Sequence, residues 1–323
     1  MRAIAEWEAQ EAIFLSLPHY NTDWNEYLLD IMKSYVELVK ALSKFQKVCL
    51  ISPSKEDFEY FFKDISNLSF YEIDTNDTWI RDYGALDVES VGRIISYNFE
   101  FNAWGGKFQS SKDNSVNSEL YKYFKGELKN IDLILEGGSI DFNGYGTMLT
   151  TTTCLLNDNR NNLSKTELED KFKSLFGIHR IIWLENGFIK GDDTDSHVDT
   201  LARFITRDTI AYSICEDKND EQYESLKLME DELKKTGFKL LPLPLPRPIF
   251  YDGVRLPATY ANFIFVNNAL IVPTYSDKND EIVLSSLKKA LPNLEIIGVD
   301  ARVFIRQNGS LHCASQNRFL GNR

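Results

Sequence analysis

Short apolar strands alternate with amphipathic helices along this chain, which marks it as α/β and predicts a ring of repeated units. Three observations carry that expectation. Period-2 and period-3.6 apolar patterns take turns from Ala12 to Val299. Residues able to do chemistry recur near Asp82, Glu136, His197, Asn262 and Cys313, separated by 54, 61, 65 and 51 residues. No low-complexity linker cuts the chain, so residues 1–323 are expected to form one domain. One such motif per unit of roughly 50 to 65 residues fits a radial arrangement, in which every unit sends a loop to a central axis. The units share no obvious sequence identity, so the repeat is read from spacing alone.

Each element has a local reason. Residues 12–17 form an apolar run and read as a strand. Leu28, Ile31, Met32, Tyr35, Leu38, Val39 and Leu42 recur at helical spacing and predict a helix over 24–45. Residues 48–51 read as a buried strand, 55–63 as a helix started by Pro53, and 69–73 as a strand. The alternation continues with a strand at 94–99, a helix at 114–124 and a strand at 131–135. Asn143-Gly144 predicts a hairpin turn into a strand at 147–152, because glycine accepts positive φ. A helix at 165–176 and strands at 180–184, 202–205 and 209–214 follow. A helix at 220–236 precedes a proline-rich segment at 241–248, which reads as a stiff connector. Strands at 263–266 and 269–272 flank Asn267-Asn268, then come a helix at 280–290 and a strand at 294–299.

Composition narrows the function. The 323 residues are 43% hydrophobic and 26% charged, ordinary for a folded globular chain with a large core. A net charge of −12 without a dense run of Lys and Arg argues against nucleic acid and fits a small cationic partner. Glu6, Glu8 and Glu11 argue against a secretory leader, and no apolar run approaches a membrane span. Cys49, Cys154, Cys215 and Cys313 are dispersed, which suggests reduced thiols and a cytoplasmic setting. Whether the chain forms a homo-oligomer is left open by the sequence.

The candidate chemistry centres on Cys313. Gly309 and Ser310 beside it permit close backbone approach and supply N–H groups that could lower the thiol pKa or hold developing charge. His312 points to the opposite face of an extended segment and reads as structural. His197 and Asp199 are two residues apart and share a face of an extended segment, forming one wall of a pocket. Asp192, Asp193 and Asp195 lack the glycine turn and closing Glu of a calcium loop, so no metal is expected there. Asp82 could grip a guanidinium through paired hydrogen bonds, with Trp79 covering its alkyl chain. An Arg81–Asp82 salt bridge capped by Trp79 is the structural alternative to that grip, Trp104-Gly105-Gly106 reads as structural, and Glu136-Gly137-Gly138-Ser139 alone matches a strand end, a glycine turn and a helix cap equally well.

Together these motifs resemble the agmatine deiminases and bacterial-type peptidyl-arginine deiminases of the guanidine-modifying superfamily. The resemblance runs from Ala5-Glu6-Trp7-Glu8 through Asp77-Thr78-Trp79-Ile80-Arg81-Asp82, Trp104-Gly105-Gly106-Lys107, Glu136-Gly137-Gly138-Ser139 and Asp193-Thr194-Asp195-Ser196-His197-Val198-Asp199. It continues through Leu256-Pro257-Ala258, Tyr260 and Asn262 to His312-Cys313. It implies a five-bladed, pseudo-fivefold α/β propeller, the pentein fold, with its site on the axis. It also implies roles: Cys313 as nucleophile, His197 as general acid and base, Glu136 as its orienting partner, Asp82 and Asp199 as the guanidinium pair, Asp193 near the distal amine, and Trp79 lining the pocket. The reaction implied is hydrolysis of agmatine to N-carbamoylputrescine and ammonia through an amidino-cysteine intermediate, without metal or organic cofactor, in polyamine synthesis. Peptidyl-arginine or free-arginine deimination, and a non-catalytic pentein binding protein, are the alternatives. The chain departs from the usual pattern before His312-Cys313, after it at Ala314-Ser315-Gln316-Asn317, and at Ser196.

Overall fold

The chain folds as five units that repeat one topology, an antiparallel hairpin followed by a helix and a strand parallel to the hairpin's second strand. The structure is a computed structural model, and it describes residues 1–321. The first unit pairs Leu86–Ser90 with Arg93–Glu100, crosses over by helix Asp113–Leu120, and ends in Glu127–Ile134. The second runs Ile140–Phe142, Thr147–Thr151, helix Lys165–Phe176 and Arg180–Leu184. The third runs Ala202–Thr206, Thr209–Ile214, helix Tyr223–Lys234 and Lys239–Pro244. The fourth runs Ile264–Val266, Ala269–Thr274, helix Lys278–Ala290 and Glu295–Asp300.

The fifth unit closes the ring by using both ends of the chain. Ser315–Phe319 lies antiparallel to Gln10–Ser16, with Ser315 opposite Leu15, and helix Leu28–Ser43 then leads to Lys47–Ser52 and Leu68–Glu72. Parallel neighbours require a crossover, which is why every unit carries a helix. The helices are short and capped by their own sequence. Ser164 and Glu167 form a reciprocal capping box, as do Asp277 and Asp280, and Gly177 ends helix Lys165–Phe176 in a left-handed conformation at φ 61°. Neighbouring units share apolar cores: Phe176 of the second packs 6.0 Å from Phe99 of the first.

Three expectations change. Residues 55–63 form only a short 3-10 turn at Glu59–Phe62, because just Phe58 and Phe62 are buried and a lone helix of that length is marginal. The proline-rich segment begins as a strand, Lys239–Pro244, at the edge of its sheet. Pro242 and Pro244 are two apart, so their missing N–H groups fall on one side of the strand and suit that open edge. Strand Leu86–Ser90, not anticipated, supplies the first unit's hairpin. Among the described residues, no helix is long and apolar enough to cross a membrane.

Candidate active site

Every candidate residue lies in the connection that leaves the last strand of one unit and enters the next. Asp82 follows Leu68–Glu72, Glu136 follows Glu127–Ile134, and His197 and Asp199 follow Arg180–Leu184. Asn262 follows Lys239–Pro244, and Cys313 follows Glu295–Asp300. The repeat therefore delivers five loops to one place, and the contacts among them show where they meet.

Asp82 is buried and doubly held. The Gly138 N–H donates to Oδ1 at 2.8 Å, and Trp104 Nε1 donates to Oδ2 at 2.9 Å. His197 lies between two carboxylates, with Nδ1 3.6 Å from Asp82 Oδ1 and Nε2 3.6 Å from Glu136 Oε2. Arg160 Nε donates to Glu136 Oε1 at 2.9 Å, and Cys154 Sγ sits 3.8 Å from Oε2. Asp199 Oδ2 is 2.7 Å from His312 Nδ1 and 3.8 Å from Cys313 Sγ, while its buried Oδ1 has no partner. Asn262 Nδ2 lies 3.3 Å from Cys313 Sγ. A Cβ on Gly138 would stand 2.7 Å from His197 Nδ1, 2.9 Å from Asp82 Oδ1 and 3.0 Å from Asp199 Oδ2. Only glycine leaves room for three titratable groups to converge there.

A cleft opens from this cluster. Cys313 and Asp82 line its buried part, Trp79, Trp104 and Phe108 its flat walls, and Asp77, Asp193 and exposed Asp23 its acidic part. Gly309 approaches Trp79 so closely that a Cβ would fall 2.5 Å from the indole. Ala103 and Trp104 hold positive φ, 53° and 55°, backbone strain that turns the indole N–H onto Asp82. Asp193 Oδ2 accepts from Asn308 Nδ2 at 2.9 Å.

The charges are not balanced. Burial pushes the Asp82 carboxyl up, partly offset by His197, and the Asp199 and Glu136 carboxylates push it further. Burial opposes charge on His197, yet Asp82, Cys154 and Glu136 outweigh it and hold the imidazole well above the usual histidine range. Burial would raise Glu136 and Asp199, but His197 and Arg160 hold the first below its usual value, and His312, His197 and Arg203 the second. Burial pushes the Cys313 thiol well above the usual cysteine range, and Asp199 and Asp82 add to that. Asp77 is pushed up to about 7 by burial, with Asp23 and Asp193 contributing. Burial and the neighbouring carboxylates thus disfavour both a thiolate at Cys313 and full charge on Asp82 and Asp77. A bound cation would relieve both.

The structure brings Asp82, Glu136, His197, Asp199 and Cys313 into one connected cluster and sets Trp79 and Asp193 on the same cleft. It corrects four local readings. The backbone beside Cys313 does not depress the thiol, because burial and two carboxylates outweigh the Ser310 N–H. His312 reaches Asp199 directly. Arg81 pairs with Asn317 Oδ1 at 2.7 Å, not with Asp82. Trp104 belongs to the cleft wall and to Asp82.

The aspartate run is occupied by protein groups. Asp192 accepts from the Thr194 hydroxyl and the Ser196 N–H, and Asp195 pairs with Arg160 and Lys107. Among the described residues, Glu136, Cys154 and His197 place one ligand atom each within 4.8 Å of one another, a spacing that could take an ion, though Arg160 already neutralises Glu136. Sequence reasoning missed Arg160 and Cys154, which lie in a polar loop and a short helix without any motif. Asp77 was legible only as part of the Asp77–Asp82 stretch.

The family model of Porphyromonas-type peptidyl-arginine deiminases matches residues 2–318. The chain belongs to that family. Among relatives, an agmatine deiminase of Medicago truncatula is 30% identical over 357 residues, covering 97% of this chain and 95% of its own. A cysteine-to-serine variant of the C. jejuni agmatine deiminase, solved with substrate bound, is 63% identical with a TM-score of 0.98, covering 100% of this chain and 97% of that one. The agmatine deiminase of Enterococcus faecalis is 28% identical with a TM-score of 0.91, covering 99% of this chain and 96% of that one. A dimethylarginine dimethylaminohydrolase at 13% identity and TM-score 0.54, covering 95% of this chain and 99% of its own, shares the fold alone. This is the pentein fold expected of the peptidyl-arginine deiminase family, and its five units are those of a pseudo-fivefold α/β propeller.

Proposed function

We propose that this chain hydrolyses agmatine to N-carbamoylputrescine and ammonia, with residues 1–323 acting as one catalytic domain. The observation that carries the reading is the pair of carboxylates Asp82 and Asp199 near Cys313, with Asp82 and the thiol at the buried end of a cleft whose other part is acidic. A guanidinium fits the pair, and a distal ammonium fits Asp193 and Asp77. The agmatine deiminase bound to its substrate, at 63% identity, supports the same assignment.

The chemistry follows from the charges. The guanidinium offsets the carboxylates that oppose the thiolate, so Cys313 loses its proton to solvent as substrate binds. The thiolate adds to the guanidinium carbon, forming a C–S bond and a neutral tetrahedral adduct. His197, held as imidazolium, gives its proton to one nitrogen, and ammonia leaves with the electrons of the broken C–N bond. The cationic amidino-thioether remains on Cys313. Neutral His197 then takes a proton from water as the oxygen adds to carbon. The C–S bond breaks, the thiolate departs, and the hydroxyl proton is released, leaving the urea of the product. Glu136 and Arg160 keep the His197 ring oriented.

The alternative of free-arginine hydrolysis needs a cation for the α-carboxylate, and no Lys or Arg is among the described residues lining the cleft. The four dispersed free cysteines fit a cytoplasmic enzyme that supplies polyamine synthesis. Ammonia release from agmatine, arginine, a peptidyl-arginine and methylated arginines tests the reading. Agmatine is expected to have the highest kcat/KM; preference for arginine or peptidyl-arginine overturns the substrate and leaves the chemistry.

A further inference from the structure

His312 is buried, 2% exposed, and touches two carboxylates at once. Its Nδ1 lies 2.7 Å from Asp199 Oδ2, and its Nε2 2.8 Å from Glu6 Oε2. An ionised carboxylate can only accept hydrogen bonds, so each ring nitrogen must donate, and a ring that donates from both is the imidazolium. Charged groups of both signs stand beside the ring. Glu6 also pairs with Arg203, whose Nε donates to Asp141 Oδ1 at 3.1 Å, and Arg81 approaches from the side with Nε on the His312 carbonyl. Asp82, His197 and Cys313 face Asp199 from the cleft. The backbone of His312 holds a second site group, because its N–H donates to Asn262 Oδ1 at 2.9 Å and Asn262 in turn reaches Cys313 Sγ.

We propose that His312 is a positioning residue for the reaction: clamped as an imidazolium between Glu6 and Asp199, it aims the Asp199 carboxylate at the substrate guanidinium. The oxygen that His312 holds, Oδ2, is the one that stands beside Cys313 and Gly138, so the clamp fixes how the carboxylate faces the nucleophile and leaves Oδ1 unpartnered. The clamp gives Glu6, far from the other site loops in sequence, a task at the axis, and it ties the chain's N-terminal segment to the residue next to the nucleophile. The inference rests on Asp199 as a guanidinium ligand.

The sign of the effect is fixed. Burial alone would raise the Asp199 pKa, and His312 is the first group that opposes this. Removing the cation lets that pKa rise, so the carboxylate forms only at higher pH. In His312→Gln and Glu6→Gln, the acid limb of the kcat/KM profile is expected to move to higher pH. KM for agmatine is expected to rise about tenfold or more, as for a weakened charge-assisted contact, with a smaller fall in kcat. A folded variant with the wild-type acid limb and KM overturns the proposal, since a merely structural His312 would change the amount of active enzyme and not its profile. Nitrogen-15 NMR on histidine-labelled Cys313→Ser protein reads the clamp without touching it. The four histidines make assignment tractable, and two buried rings with both N–H protons are expected, His197 and His312. A neutral tautomer at His312 overturns the proposal even where the glutamine variants fail to fold. If wild type releases ammonia from no guanidine, the function falls while the NMR signature still reports on the clamp.

Discussion

Burial and two carboxylates oppose ionisation of Cys313, so in the proposed reaction its reactivity depends on the cationic substrate. Cys313→Ser is expected to abolish ammonia release while agmatine still binds by calorimetry, because the hydroxyl is a poor nucleophile but the carboxylates remain. Near-wild-type turnover would remove Cys313 from the role. Asp193 lies in the same cleft, with its carboxyl held by Asn308. A charge-assisted contact to the distal ammonium contributes about 1.5–3 kcal/mol, so Asp193→Asn should raise KM for agmatine by one to two decades. A guanidine lacking the amine should be affected much less; equal loss on both substrates would make Asp193 a mere support for the loop carrying His197. Glu136, Cys154 and His197 have metal-like spacing, yet the proposed chemistry uses none. Treatment with EDTA is therefore expected to leave kcat unchanged. Activity that disappears and returns with added divalent ion would require that trio to be reread as a metal centre.

At the scale of the element, the connections matter more than the strands they join. Gly138 sits in the turn after strand Glu127–Ile134, where its missing side chain lets His197, Asp82 and Asp199 crowd together. The turn's N–H also fixes Asp82. Gly138→Ala should displace these groups by a fraction of an ångström to an ångström, and such misplacement lowers kcat/KM about a hundredfold. An unchanged melting temperature alongside that loss would locate the effect in the site; full activity would show that the loop absorbs a methyl. The hairpins and capped helices were legible because their signals are local. Asn143-Gly144 specifies a turn by residues in contact along the chain, and the helix read at 165–176 is Lys165–Phe176 in the structure. The failed helix at 55–63 and the strand within the proline run were not, because burial and edge position decided them.

Over the whole molecule, buried acids tie stability to pH. Asp113 is fully buried, accepts the N–H groups of Asn76 and Asp77 on Oδ1, and leaves Oδ2 without a partner. Burial pushes its carboxyl up to about 8, whereas an unfolded aspartate loses its proton at about pH 4. Between those values the folded chain binds more protons than the unfolded one, so this group lowers stability as pH rises. Asp77, at about 7, acts in the same direction. Asp113→Asn keeps an acceptor for both N–H groups and cannot ionise. Its melting temperature should fall less than that of wild type between pH 5 and pH 8; parallel curves would remove Asp113 as a source of the loss.

The sequence by itself determined the periodic elements, the regular spacing of the reactive residues and, through the motif set from Glu6 to Cys313, the family resemblance. These depend on neighbours in the chain or on residue identity. Tertiary structure alone decided the state of the site. The thiol's raised pKa comes first from burial and then from Asp199 and Asp82, more than a hundred residues away in sequence. The partnership of His312 with Glu6 and Asp199 exists because strand Ser315–Phe319 pairs with Gln10–Ser16 and draws both ends of the chain to the axis. A local reading could place His312 on the far face from Cys313. It could not say that two carboxylates were waiting on that face, because burial and charge are sums over whatever the folded chain brings near.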